Sequence, residues 1–336
     1  MNKFLTLTEA QRRTVFEQTA IRIKLPVASI EKDFWVTEIL NILFSLPYAD
    51  KMVFKGGTSL SKIWGVIRRF SEDIDIAIDR SMFGIEGDVT KKQLKKLRKA
   101  SSIFVRDTFA NDLIATTEQT GLSDFVTIKA DPDGEGDATY PEPRQIHIIY
   151  KSVLPSGTNP YLRDEVLLEV GARSLFKPTA KAKIESFVTA AYPHLTSNDK
   201  EIQVVTAVAE KTFLEKAFLL HELFTTEGCH NANRKSRHLY DLYKMLEAGI
   251  ADMAIPNNEL WETIRHHREV FTSIRDVDYT PDVRKRIALT PPESVIEDWR
   301  NDYDTMVANM IYEDKVPTFS DILAGATKIE SKFKTL

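Results

Sequence analysis

The sequence predicts an α+β fold: a sheet-bearing core with flanking helices, followed by a C-terminal helical domain. Two observations carry this. Between residues 51 and 176, short apolar or alternating runs recur between Gly- and Pro-bearing turns, as strands require. After about Pro178 strand patterns nearly vanish and helical spacing takes over. The expected blocks are a helical lead at 1–50, the core at 51–176 and a helical domain at 177–336.

Each element follows from local pattern. Residues 8–24 read as a helix, with Thr8 as N-cap, Gln11 three residues on and Pro26 beyond its end. "SIEKDFWVTEILNILFSL" reads as a second helix, with Trp35, Ile39, Ile42, Leu43 and Leu46 as its buried stripe. "MVF" is a short strand, "KGGTS" a turn, "LSKIWGVIRRF" a helix and "DIDIAID" a strictly alternating strand. "KKQLKKLRKASSIFVRDTFANDL" is a long helix. "DFVTIKA", "RQIHIIYKS" and "DEVLLEVGA" are three further strands, the first two joined by an acidic, exposed hairpin connection, "DPDGEGDATYPEP". "DKEIQVVTAVAEKTFLEKAFLLHELF" reads as one long amphipathic helix or two abutting ones, and "RKSRHLYDLYKMLEAG" as another, stopped near Gly249. The rest, to Leu336, reads mostly helical.

Composition narrows the class. Of 336 residues, 43% are hydrophobic and 28% charged, as in an ordinary soluble globular protein. The net charge of −4 means that a polyanion partner must meet a local basic patch. Lys91–Lys99 and Asn233–Arg237 are such runs; each is also an ordinary solvated helix face, and for Lys91–Lys99 that is the safer reading. A single cysteine, Cys229, excludes an intramolecular disulfide and fits a reducing cytosol. The N-terminus has no apolar signal core, and no segment approaches the roughly 20 apolar residues of a membrane span. A cytoplasmic protein without membrane contact is expected.

The chemistry concentrates in Val53–Asp79. A strand feeding two glycines and then a helix directs free backbone N–H groups at a ligand, and such positions attract phosphate. Gly56 and Gly57 supply the turn, Thr58 and Ser59 add hydroxyls, and Lys62 lies one helical turn on. The spacing is neither that of a P-loop nor that of a dinucleotide fingerprint, and alone it is equally a plain strand-to-helix turn. Asp73 and Asp75 alternate on one face of their strand, with Asp79 further along it. Two like charges on one face repel, and a hard divalent cation relieves that cost. Close in space, the turn would hold a triphosphate and the carboxylates its metal.

Strand, Gly-Gly-Thr/Ser, helix and Asp-x-Asp is the arrangement of the polymerase beta-like nucleotidyltransferase fold. "KGGTSLSKIWGVIRRFSEDIDI" resembles the AbiEii/AbiGii toxin family of nucleotidyltransferases, the toxin halves of type IV toxin–antitoxin and phage-abortive systems. "EKTFLEKAFLLHELF" and "RKSRHLYDLYKM" are similar to that family's downstream motifs, so the resemblance spans roughly residues 31 to 246. It implies a nucleotidyltransferase-type mixed sheet and transfer of a nucleoside monophosphate from an NTP with Mg²⁺ or Mn²⁺. It also implies an RNA acceptor such as the tRNA 3′ end, growth arrest or abortive phage defence, and a cognate antitoxin. The expected NTP site is a cleft between core and helical domain. Two other readings share the motif: a small-molecule, antibiotic-type nucleotidyltransferase and a non-catalytic NTP-sensing module.

On this reading Asp73 and Asp75 bind metal. Glu169, a carboxylate within an apolar strand, is a third ligand or a base, or else an edge-strand glutamate paired with a residue such as Arg173. Lys216 borders the apolar stripe of Phe213, Ala217, Leu220 and Phe224; it is a snorkelling lysine by pattern and a triphosphate cation by resemblance. Asp241, flanked by Arg237 and Lys244 at intrahelical pairing distance, becomes an active-site residue by resemblance. Ser71, Arg69 and Arg237 are further phosphate candidates. His221 and His238 lack metal-ligand spacing and read as structural.

Overall fold

The structure, a computed structural model, describes residues 3–155, 163–196, 203–226 and 231–335. Cys229 lies outside the described residues. The chain forms two compact units: Met1–Ile63 with Ser71–Ala207, and Trp64–Phe70 with Val208–Leu336.

Unit 1 is built on a mixed sheet. In chain order its strands are β1 (Met52–Lys55), β2 (Ile74–Ile78), β3 (Val126–Ala130), β4 (Arg144–Tyr150), β5 (Glu165–Gly171), β6 (Thr179–Lys183) and β7 (Gln203–Ala207). They lie in the order β3-β4-β5-β2-β1-β7-β6. β1 and β2 are antiparallel neighbours, whereas β2 runs parallel to β5 and β1 parallel to β7. Around the sheet stand α1 (Glu9–Ile23), α2 (Val27–Leu43), α3 (Gly56–Lys62), α4 (Lys91–Phe104), α5 (Ala110–Thr120), α6 (Phe187–Ala191) and α7 (Pro193–Thr196). α1 starts on the expected box, in which Thr8 and Gln11 satisfy each other's backbone N–H groups. The expected long helix at 91–113 is α4 and α5 joined through a π-helical turn at Val105–Phe109.

Three features depart from the pattern reading. α2 buries nearly its whole circumference rather than one stripe, including Glu31, Lys32 and Asp33. Each has a hydrogen-bond or ion-pair partner, as burial requires. Glu31 accepts from Ser152 Oγ at 2.6 Å and Val153 N at 2.9 Å, and Lys32 pairs with Glu72. The helix after the glycines ends at Lys62 instead of reaching Phe70; Ile63 caps it, and the left-handed Gly65 (φ 61°) keeps the chain from resuming helical geometry. Finally, strands continue past residue 176. "QVVTA" carries three successive β-branched residues, and it pairs with β6 and β1 before the helix that begins at Ala209. The boundary expected at 176 therefore falls inside unit 1.

Unit 2 is helical, as expected: α8 (Ala209–Thr225), α9 (Ser236–Glu247), α10 (Ile250–Ala254), α11 (Asn258–Phe271), α12 (Ile296–Met310) and α13 (Phe319–Lys334). Trp261 anchors its core, with ring centroids 4.8 Å from Phe218 and 5.1 Å from Phe333. Trp64–Phe70 joins this unit by backbone pairing, with Phe70 N donating to Met310 O and Tyr312 N to Arg68 O. No described helix is long and apolar enough to cross a membrane.

Candidate active site

In unit 1 the β1–α3 turn is shaped by one glycine. Gly56 has φ +82°, and a Cβ there would lie 2.1 Å from Asp75 Oδ2. Only glycine combines that backbone with so close an approach to a carboxylate. Gly57 continues the first turn of α3 without a side chain. Thr58 and Ser59 are buried and turned inward. Thr58 Oγ1 donates to Asp73 O at 2.6 Å and lies 3.0 Å from Ser71 Oγ, and Ser59 Oγ donates to Gly56 O at 2.9 Å. The hydroxyls expected on phosphate instead lock the turn to the start of β2. Lys62 is likewise committed: its Nζ stands 2.5 Å from Asp33 Oδ1, both side chains being less than a tenth exposed (7% and 6%).

The carboxylates meet through sheet register. Asp75 pairs with Lys55 on β1 and with Glu169 on β5, and Glu169 pairs with Gln145 on β4. Residues in register share a face, so the four form a row across the sheet. Lys55 Nζ is 3.5 Å from Asp75 Oδ1, and Gln145 Nε2 donates to Glu169 Oε1 at 2.8 Å. Glu169 thus stands on an interior strand rather than an edge strand, with Gln145 as a hydrogen-bond partner. A cavity of about 110 Å³ opens here, lined by Lys55, Asp75, Glu142, Glu169 and Arg173 among others. Asp73 immediately precedes β2 and is partly exposed, while Ile74 and Ile76 are buried. Asp79 does not join the row: it caps the next turn, accepting from Ser81 N at 2.9 Å.

Among the described residues no three His, Cys, Asp or Glu side chains form a ready-made metal centre. Partly exposed carboxylates on adjacent strands nonetheless fit a hard divalent cation, which takes one or two carboxylates and completes its shell with phosphate and water.

Unit 2 holds a buried charge cluster. Arg69 grips Asp241 through both edges, Nε to Oδ1 at 2.7 Å and Nη2 to Oδ2 at 2.8 Å. Lys216 Nζ lies 2.9 Å from Asp241 Oδ2 and 3.3 Å from His238 Nδ1. Burial alone would raise the Asp241 pKa, but Arg69 and Lys216 outweigh it and hold the carboxyl well below its usual range. Burial, with Arg69 adding to it, lowers the Lys216 ammonium despite Asp241. His238 is pushed well down by burial and by Lys216.

Asp241 does not form the intrahelical pairs that its spacing alone offered. Its partners are Arg69 and Lys216, while Lys244 pairs with Glu247 and Glu313 and the buried Arg237 Nε has no hydrogen bond among the described residues. Arg69, expected on phosphate, is only 1% exposed and spends its guanidinium on Asp241. His221 is structural as expected, accepting from Ala288 N at 3.2 Å. Lys55 escaped the sequence reading; its one signal was its place directly before the glycines.

Among curated proteins no sequence matches this chain. MenT4, a nucleotidyltransferase toxin from Mycobacterium tuberculosis, is similar in fold: 15% identity, TM-score 0.56, covering 98% of this chain and 90% of that one. JHP933 from Helicobacter pylori aligns at 14% identity over 92% of this chain and 91% of that one, with a TM-score of 0.39 too low to bear on the fold. The family model "Nucleotidyl transferase AbiEii toxin, Type IV TA system" matches residues 39–325. That span takes in the Gly56 turn, the Lys55–Asp75–Glu169 row and the Arg69–Asp241–Lys216 cluster, and on it the chain belongs to the AbiEii nucleotidyltransferase toxins.

Proposed function

We propose that the protein transfers a nucleoside monophosphate from an NTP to an RNA acceptor, the tRNA 3′ end being the expected one, with Mg²⁺ or Mn²⁺ held by Asp73 and Asp75. The observation that carries this is the row Lys55–Asp75–Glu169 with Gly56 packed on Asp75. It places a close-approach glycine turn against paired carboxylates. A bound divalent cation supplies charge neutralisation for the triphosphate and orientation of the attacking oxygen. The protein's own groups do the rest. Gly56 and Gly57 leave room for the phosphates, Thr58, Ser59 and Ser71 keep the turn rigid, and Lys55 adds positive charge beside Asp75. Glu169 accepts the proton of the RNA hydroxyl as its oxygen attacks the α-phosphorus. The bond to the leaving pyrophosphate breaks as the new phosphoester forms. Lys216 and Asp241 form the second set of required residues. Growth arrest, a role in phage defence and control by a cognate antitoxin complete the reading.

The test is incubation of wild type and Asp73→Asn with divalent metal, each labelled NTP in turn and total RNA. Labelled RNA with the wild type alone supports the proposal, and the band names the acceptor. Pyrophosphate release without labelled RNA replaces the RNA acceptor by a small molecule or protein. NTP binding with no turnover leaves a sensing module.

A further inference from the structure

The basic run at Lys91–Lys99 is now a surface with a definite position. Along α4, Lys91, Lys92, Lys95, Lys96 and Lys99 fall within one arc of the helix and are all exposed. The opposite side is buried through Leu97 and Ser101. Among the described residues Lys91, Lys92, Lys95 and Lys96 carry no ion pair, in a protein whose net charge is −4 and which pairs many of its other cations. Lys99 lies over the Tyr140 ring, 5.3 Å from its centroid.

The far end of α4 is tied to the candidate active site within the same unit. Ser101 Oγ donates to Glu142 Oε2 at 2.6 Å, and Arg144 Nη2 donates to Ser102 Oγ at 2.9 Å. Glu142 lines the cavity that Asp75 and Glu169 share. These contacts leave from the buried side of α4, opposite the lysines, so the basic face and the cavity belong to one unit and are joined through that helix. From Lys91 to Ser101 the helix rises about 15 Å, enough for roughly four phosphates at ~3.4 Å per strand residue.

We infer that the exposed lysine face of α4 docks the phosphate backbone of the RNA acceptor. This rests on the RNA-acceptor reading above. A protein partner fits the face poorly, because protein interfaces are depleted in lysine and centre on apolar or aromatic residues. The large exposed apolar side chains, Ile21, Ile149, Met253 and Val316, all lie off α4.

The test titrates a fluorescent single-stranded RNA with the full chain across a salt series. Wild type is compared with a variant carrying Lys91→Gln, Lys92→Gln, Lys95→Gln and Lys96→Gln, and with its Lys→Arg counterpart. The glutamine variant is expected to bind more than tenfold more weakly at low salt. Its log–log salt slope should be shallower by about 0.7 for each phosphate no longer neutralised, the arginine variant keeping the wild-type slope. Fluorescent-NTP binding and thermal unfolding should match the wild type in both. An unchanged slope in the glutamine variant, with wild type binding and labelling RNA, overturns the inference alone. Wild type that binds no RNA overturns it together with the RNA-acceptor reading. A glutamine variant that loses an acidic protein partner but keeps RNA assigns the face to that partner and also overturns it.

Discussion

Replacing Asp241 by Asn tests what this residue holds together. Asp241 is fully buried and its two oxygens neutralise Arg69 and Lys216, which are 1% and 7% exposed. Asn keeps the shape but removes the charge, leaving two cations in a dry interior. Breaking a buried ion pair from one side costs about 3–5 kcal/mol. At roughly 2–4 °C per kcal/mol for a unit of this size, the unfolding midpoint should fall by about 6–20 °C. Circular dichroism melts of wild type and variant read this directly. Substituting all three members together, Arg69→Met, Lys216→Met and Asp241→Leu, should recover most of the loss, since apolar replacement of a whole buried ionic group is often neutral or stabilising. That triple variant should stay inactive. A single Asp241→Asn variant melting within about 1 °C of wild type would refute the reasoning, because it would mean that the charge carries less than ~0.5 kcal/mol.

Other outcomes follow from the same geometry. Gly56→Ala forces a left-handed alanine, costing about 1–2 kcal/mol, and drives its Cβ into Asp75; pyrophosphate release should drop more than tenfold while the melt falls only a few degrees. Lys62→Met leaves the buried Asp33 carboxylate, among the described residues, with the Phe187 N–H at 2.8 Å, so urea unfolding should show a loss of about 3 kcal/mol. His221 and His238 have folded pKa values below the ordinary 6.5. They stay neutral in the fold and take up protons only on unfolding, so their stabilisation is complete above that value and is lost as pH falls below it. Melts should be flat from pH 7 to 8 and fall from about 6.5 toward 5, by up to ~1.4 kcal/mol per pH unit per histidine, with His238→Asn reducing the slope.

Local patterns were legible in the sequence and non-local ones were not. Thr8 with Gln11 names a helix start because the box is complete within four residues. "DIDI" names a strand because alternation needs only near neighbours, and the two glycines before it mark the turn that packs on Asp75. Lys55 beside Asp75 depends on strand order and register, which no local run encodes. Arg69 and Asp241 are 172 residues apart in sequence, so a helical reading could offer Asp241 only Arg237 and Lys244. β7 was hidden for a different reason. Its β-branched run abuts a strong helix with no glycine or proline between them, and pairing with β1 and β6 decides its conformation. The stripe read for α2 left out its charged positions, and partners such as Glu72, 40 residues away, let Lys32 lie inside.

The most direct measurement is metal-dependent pyrophosphate release by Asp75→Asn against wild type, with both melts recorded. Asp75 is the one residue that touches the glycine turn, faces Lys55 and stands in register with Glu169. The account predicts release falling by more than a hundredfold, with an unfolding midpoint within a few degrees of wild type. Wild-type release by a folded Asp75→Asn variant would contradict it and move the chemistry away from this row.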